Sequence, residues 1–319
     1  MPDLSPNPSS GGPTETSGGA PASGSSVYWV FMGPKGLRSG WRIAIFLGIC
    51  TVLIAGLNSF RPLRDFLRSL SVKGALTPVA TLVSEVLSVL TLLAAAWIMT
   101  RIERRTFRDY GLPFAEAFGK RFWQGALLGF AMLSLLLAAI AAFHGFSLAG
   151  LAISGSAAAR YGFLWALAFL MTGVFEDFSF RGYLQATLGE GIGFWPAALI
   201  LAVIFGALHL SNPGEAIFGS VMAGSFGLVS AFSLWRTGNL WLSIAMHMSW
   251  DWGETYFYGT PDSGMTATGH LLNSSFHGAK WLTGGTVGPE GSWLVFPTLV
   301  VWALAIHFFF PARPAAAAK

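Results

Sequence analysis

Mostly apolar runs about as long as a bilayer is thick recur from residue 42 to residue 310, and this constrains the fold more than any other feature. A helix needs about 20 such residues to cross the hydrocarbon core. The runs fall at 42–60, 76–100, 122–146, 160–184, 194–211, 214–235, 239–257 and 292–310. Backbone polar groups in lipid must be satisfied within the segment, and uninterrupted runs of this length read as helices. The expected fold is therefore all-α, a polytopic transmembrane bundle of about eight helices. Composition agrees, because 53% of residues are hydrophobic and only 11% are charged. An average soluble domain carries about 25% charged residues, so this chain has too few to coat a water-facing surface. Its 39 Gly also suit close helix–helix approach in a membrane.

The segment 1–27 is rich in Ser, Gly, Pro and Thr and has no apolar face, so a disordered polar tail is expected. It lacks a basic start followed by an apolar region, and the first run is expected to act as an uncleaved signal anchor. Residues 28–312 read as a single transmembrane helical domain without internal repeats, and 313–319 as a short tail. Very short connections near 211–213 and 236–238 make the runs from 194 to 257 antiparallel neighbours. With the amino terminus inside, most of the 19 Lys and Arg fall on the inner side, notably those between Arg101 and Arg121. Arg61, Arg64, Arg68 and Lys73 oppose that assignment. The expected location is a bacterial inner membrane with cytoplasmic amino and carboxyl termini. A net charge of +4, spread along the chain, gives no footprint for nucleic acid. The single Cys50, inside an apolar run, excludes intramolecular disulfides and thiolate metal clusters.

Ionisable side chains inside apolar segments are costly there and need a partner or a purpose. The densest group is Glu176-Asp177-Phe178-Ser179-Phe180-Arg181-Gly182. Asp177 and Arg181 are four apart and can pair along a helix, whereas Glu176 points about 100° away and stays the freer carboxylate. Phe205-Gly206-Ala207-Leu208-His209 ends another apolar run. In His247-Met248-Ser249-Trp250-Asp251 an i,i+4 spacing puts imidazole and carboxylate on one face. An interfacial acid pair or a hydrogen-bonded core histidine would explain any one of these groups, but not all three on separate helices. His144 and His307 have no acid within a turn and receive no role. Glu85 has no local partner and reads as structural or supporting. Amide hydrolysis needs an activated water, a steadied oxyanion and a protonated leaving amine, all within reach of Glu and His. Two His and a Glu are also the ligand types of a catalytic zinc site with one open position.

Glu176-Asp177-x-x-x-Arg181, Phe205-x-x-x-His209 and His247-x-x-x-Asp251 resemble the EExxxR, FxxxH and HxxxN/D signatures of the CAAX-protease and bacteriocin-processing (Abi) family, whose members include type II CAAX prenyl endoproteases. The likeness covers residues 176 to 251, and Phe180-Arg181-Gly182 extends it. It implies an intramembrane endopeptidase with its protease-like core at about 160–257, acting on a peptide or protein substrate at the bilayer. It makes Glu176 the water-activating base, His209 its partner, and His247 with Asp251 the oxyanion and substrate side. Asp177 and Arg181 brace the site, and Phe205 supports it. Asp177 stands where the signature has a second Glu, which shortens the arm but keeps the charge. Asp251 stands where the prenyl proteases usually have Asn, and an ionised Asp cannot donate to an oxyanion. Metal-free chemistry is preferred. If a divalent metal such as zinc is bound, its candidate ligands are Glu176, His209, His247 and Asp251.

Neither an HExxH helix nor a Gly-x-Gly-Asp pair is present, which argues against two other intramembrane protease classes. Ser225 lies one helix before His247, but Gly224-Ser225 among small residues reads as helix packing. The non-enzymatic alternative is a membrane transporter, scaffold or immunity protein that uses the same buried polar residues.

Overall fold

The computed structural model describes residues 26–33, 36–72, 74–212 and 217–311. The expected tails lie outside these residues, apart from 26 and 27, which open α1 (Ser26–Phe31). With the hairpin β1 (Met32–Gly33) and β2 (Gly36–Leu37), α1 belongs to a small unit ending at Arg38, whose Nε donates to the Trp29 carbonyl at 2.9 Å.

From Ser39 onward the chain is a second, helical unit. Its helices are α2 (Ser39–Ser59), α3 (Arg61–Leu70), α4 (Pro78–Glu103), α5 (Lys120–Ala142), α6 (Gly155–Asp177), α7 (Gln185–Ile192), α8 (Phe194–His209), α9 (Ile217–Thr237), α10 (Leu240–Trp252), α11 (Lys280–Thr283) and α12 (Val295–Phe309). A π-helical stretch, Phe178–Leu184, joins α6 to α7 in one rod. That rod, α2, α4, α5 and α9 are each long and apolar enough to cross a bilayer. Side chains such as Val52, Leu127, Ile217 and Phe308 are exposed, which in a membrane faces them to lipid. The bundle is thus polytopic and helical. It also contains a second antiparallel strand pair that hydropathy did not foreshadow, β3 (Phe146–Leu151) with β4 (Leu272–Phe276), in which Phe146 pairs with Phe276.

α10 is the axis of this body. It has 13 residues, too few to span a bilayer alone, yet all except Met248 and Trp252 are buried. Its neighbours are protein rather than lipid, so it need not match the bilayer's thickness. Glycines let those neighbours come close. A Cβ on Gly125 or Gly129 of α5 would run into the Leu242 or Met246 carbonyl oxygen of α10. The start of α10 is pinned as well. The Asn239 side chain accepts from Trp241 N at 2.8 Å and donates to Glu116 Oε2 at 2.6 Å. Trp241 Nε1 donates to the Pro113 carbonyl at 2.9 Å. The basic connection before α5 therefore fixes the depth of the helix that carries His247 and Asp251.

At the Glu103 end of α4, Arg42 reaches both Glu103 and Glu190, the latter at 2.6 Å, and Arg105 also pairs with Glu190. Tyr183 and Tyr110 hydroxyls donate to Glu103 at 2.6 and 2.9 Å. This network clasps α2, α4 and α7. The connection 258–291 folds back as well. Leu76 N donates to the Thr266 carbonyl at 2.8 Å, and Thr268 N donates to that of Leu76 at 3.0 Å.

Candidate active site

A cavity of about 350 Å³ is lined by Glu85 of α4, Glu176 of α6, His209 of α8, and His247 and Asp251 of α10. His247 is its hub. Asp251 Oδ2 lies 3.4 Å and Glu176 Oε2 3.7 Å from its Nε2, while Asp177 Oδ2 lies 3.5 Å from its Nδ1. Three carboxylates thus surround one buried imidazole at ion-pair rather than hydrogen-bond distance, a looseness common in ligand-free catalytic sites. Accessibility separates the three acids. The Glu176 side chain is 26% exposed, against 9% for Asp251 and none for Asp177, so Glu176 is the acid best placed to meet water.

Asp177 also lies 3.5 Å from Arg181 Nη1 across the i,i+4 spacing. The residues between them are π-helical, a local widening that recurs at functional sites. Arg181 is buried, its Nε donating to the Gly227 carbonyl at 3.4 Å and its guanidinium 4.1 Å from the Phe205 ring centre. Position 227 must be glycine for this placement, since a Cβ there would collide with Arg181 Nη2. The Phe205 ring also packs on His209, 4.6 Å centre to centre. Phe205 therefore links the arginine of one motif to the histidine of the next. His209 Nδ1 lies 2.8 Å from the Phe205 carbonyl oxygen, which can only accept. Nδ1 consequently carries the proton, and in the neutral ring the Nε2 lone pair is free.

All seven residues singled out from sequence lie at or against this cavity. His209 lines it without joining the ion-pair cluster around His247. Ser225 donates back to the Val221 carbonyl at 2.8 Å, an ordinary helix contact. Glu85 was visible as an ionisable residue in an apolar run, but its place on the cavity wall was not. Sequence reading also passed over Asp262 and Glu290, which line the same cavity from the 258–291 connection. Asp262 is pushed up to about 7 by burial and by the neighbouring Glu290 carboxylate.

No three of the four residues named as possible zinc ligands, Glu176, His209, His247 and Asp251, have ligand atoms all within 4.8 Å of one another. Among the described residues, the acidic set whose ligand atoms all lie within 4.8 Å of one another is Glu254, Asp262 and Glu290.

Residues 158–253 match the family model described as type II CAAX prenyl endopeptidase, Rce1-like. The matched stretch runs from within α6 to the end of α10 and contains all three motifs, so the likeness read from a few residues extends over the helices that carry them. The chain is a polytopic helical membrane protein, and its residues 158–253 are similar to that family. Comparison with curated proteins gives no match.

Proposed function

We propose that this protein is an intramembrane endopeptidase whose Glu176 takes the proton from an attacking water. The observation that carries the reading is one cavity lined by Glu176, His209, His247 and Asp251, drawn from three separate helices. Glu176 offers the exposed carboxylate that takes the water's proton and later returns it to the leaving amine, while the Nε2 lone pair of His209 accepts a hydrogen bond from the same water. His247 donates to the developing oxyanion. Asp251 serves through His247, 3.4 Å away, since an ionised carboxylate has no proton to donate. Asp177 and Arg181 hold Glu176 and His247 in place from the buried side.

A second cavity of similar volume, mostly apolar, is lined by Phe46, Leu57, Leu87 and Leu92 and shares Phe175 and Phe180 with the first. It suits the apolar part of a lipid-modified or membrane-embedded substrate. The basic connection 101–121 favours cytoplasmic termini in a bacterial inner membrane. Quantitative comparison of carboxyl-terminal peptide fragments in membranes expressing the wild type or Glu176→Gln tests the activity. Fragments present only with the wild type support it, and identical fragment sets return the protein to the transporter or scaffold class. Leu87→Trp, which narrows the apolar cavity, is expected to raise KM several-fold for a prenylated peptide and not for its unmodified counterpart. An equal effect on both removes the lipid-pocket assignment.

A further inference from the structure

Just beyond the family-matched stretch, α10 continues as a second π-helical segment, Gly253–Tyr258. Glu254 in its first turn is fully buried, and neither of its carboxylate oxygens accepts a hydrogen bond. Trp250 Nε1, one turn earlier on α10, donates to Glu290 Oε1 at 3.2 Å. The two acids facing Glu254 are, by contrast, held in position. Thr255 Oγ1 donates to Asp262 Oδ2 at 2.9 Å. Ser263 N and Oγ donate to Glu290 Oε2 at 3.1 and 2.8 Å. Hydrogen bonds of this kind orient carboxylates around a cation, and the buried, unpartnered Glu254 beside them is the group a cation would satisfy.

We infer that Glu254, Asp262 and Glu290 bind a hard divalent cation, Ca²⁺ by the number of carboxylates, which fastens the 258–291 connection to the end of α10. The donor set is all oxygen, with no thiolate or imidazole, which selects the Ca²⁺, Mg²⁺ and Mn²⁺ class over zinc or copper. Three protein carboxylates whose ligand atoms lie within 4.8 Å of one another favour Ca²⁺, since Mg²⁺ is usually held by one or two carboxylates and keeps several waters. Asp262, Ser263 and Glu290 line the water-accessible cavity, giving the ion an entry path and room for water ligands. Because Glu254 lies three residues after Asp251, ion binding would steady the part of α10 that carries Asp251. Asp262 and Glu290 share a cavity with Glu176 but Glu254 does not line it, and the inference does not depend on the peptidase assignment.

The test uses the full chain in detergent, stripped with chelator. Isothermal titration with CaCl₂, and separately with MgCl₂ and MnCl₂, is read together with tryptic cleavage at exposed Lys280 within the fastened connection. The expected result is one saturable Ca²⁺ per chain, cleavage at Lys280 slowed about tenfold or more by Ca²⁺, and both effects lost in Glu254→Gln but kept in Glu176→Gln. Glu290→Gln, at the more accessible position, serves as the second variant should Glu254→Gln fail to fold. Absence of saturable binding of all three ions by the wild type overturns the inference. So does binding that survives Glu254→Gln and Glu290→Gln but is lost in Glu176→Gln, which would place the ion at the catalytic water.

Discussion

Two charged clusters sit in this bundle, both pairing carboxylates with arginine and finished differently. In the clasp of Arg42, Glu103, Arg105 and Glu190, both Glu103 oxygens accept tyrosine hydroxyls and both Glu190 oxygens meet arginines, leaving Arg42 Nε as its one buried polar atom without a partner. Around His247, contacts stop at 3.4–3.7 Å, and both Asp177 oxygens, both Arg181 Nη atoms and His247 Nδ1 are buried without hydrogen-bond partners. A satisfied ionic network holds helices together, while an unsatisfied one next to a cavity keeps its capacity for water and substrate. A carboxylate–arginine pairing is common to both clusters and does not separate them. Hydrogen-bond completion does.

The comparison breaks most sharply at Glu176. Glu176→Gln is expected to lower kcat by about 10²- to 10⁴-fold, the usual range for a general base. The thermal unfolding midpoint should stay within a few degrees of wild type. A variant retaining more than about a tenth of the turnover removes Glu176 from the role. Glu103→Gln should do the reverse. Removing one member of a buried ion pair costs about 3–5 kcal/mol, so the variant should unfold at markedly lower temperature while the surviving folded fraction keeps its turnover per molecule. If instead turnover falls with stability intact, the clasp is part of the reaction machinery and the contrast fails. Gly227→Ala is expected to have a smaller effect, about 1–3 kcal/mol of overpacking against Arg181, with kcat falling because Arg181 positions Asp177. An unchanged kcat would show that Arg181 can shift without consequence.

Much of this was legible in the chain, for identifiable reasons. The run expected at 76–100 is α4 (Pro78–Glu103), and that at 214–235 is α9 (Ile217–Thr237), because apolar length is set by the bilayer and survives in any single sequence. Glu176, His209 and His247 stood out because ionisable residues are rare in such runs. The π-helical stretches after Asp177 and Trp252 were not legible, since the extra residue in a turn leaves no period of its own. Phe205 could be named only as support. Its contact with Arg181 joins two helices whose relative depth no local pattern encodes. Glu85 looked partnerless because its neighbours Glu176 and His247 lie on other helices. Glu254, Asp262 and Glu290 escaped notice because they meet only once the Gly-rich connection has folded back onto α10.

The smallest expected effect, and the one that sharpens the contrast furthest, is a pH slope carried by Asp262. The folded protein holds the Asp262 proton up to about pH 7, while the unfolded chain releases it near the ordinary aspartate value of 3.8. Between those values the folded state binds more protons than the unfolded state, so stability falls as pH rises through the window and levels off above it. In chelator-containing buffer, then, the unfolding temperature of the wild type should decline from pH 4 to pH 7 more steeply than that of Asp262→Asn. The difference should be modest, because Asp262 lines a cavity that water enters and its charge is partly screened. Parallel slopes for the two proteins would mean that Asp262 is as well satisfied as Glu103, and that the line between a finished and an unfinished cluster has been drawn in the wrong place.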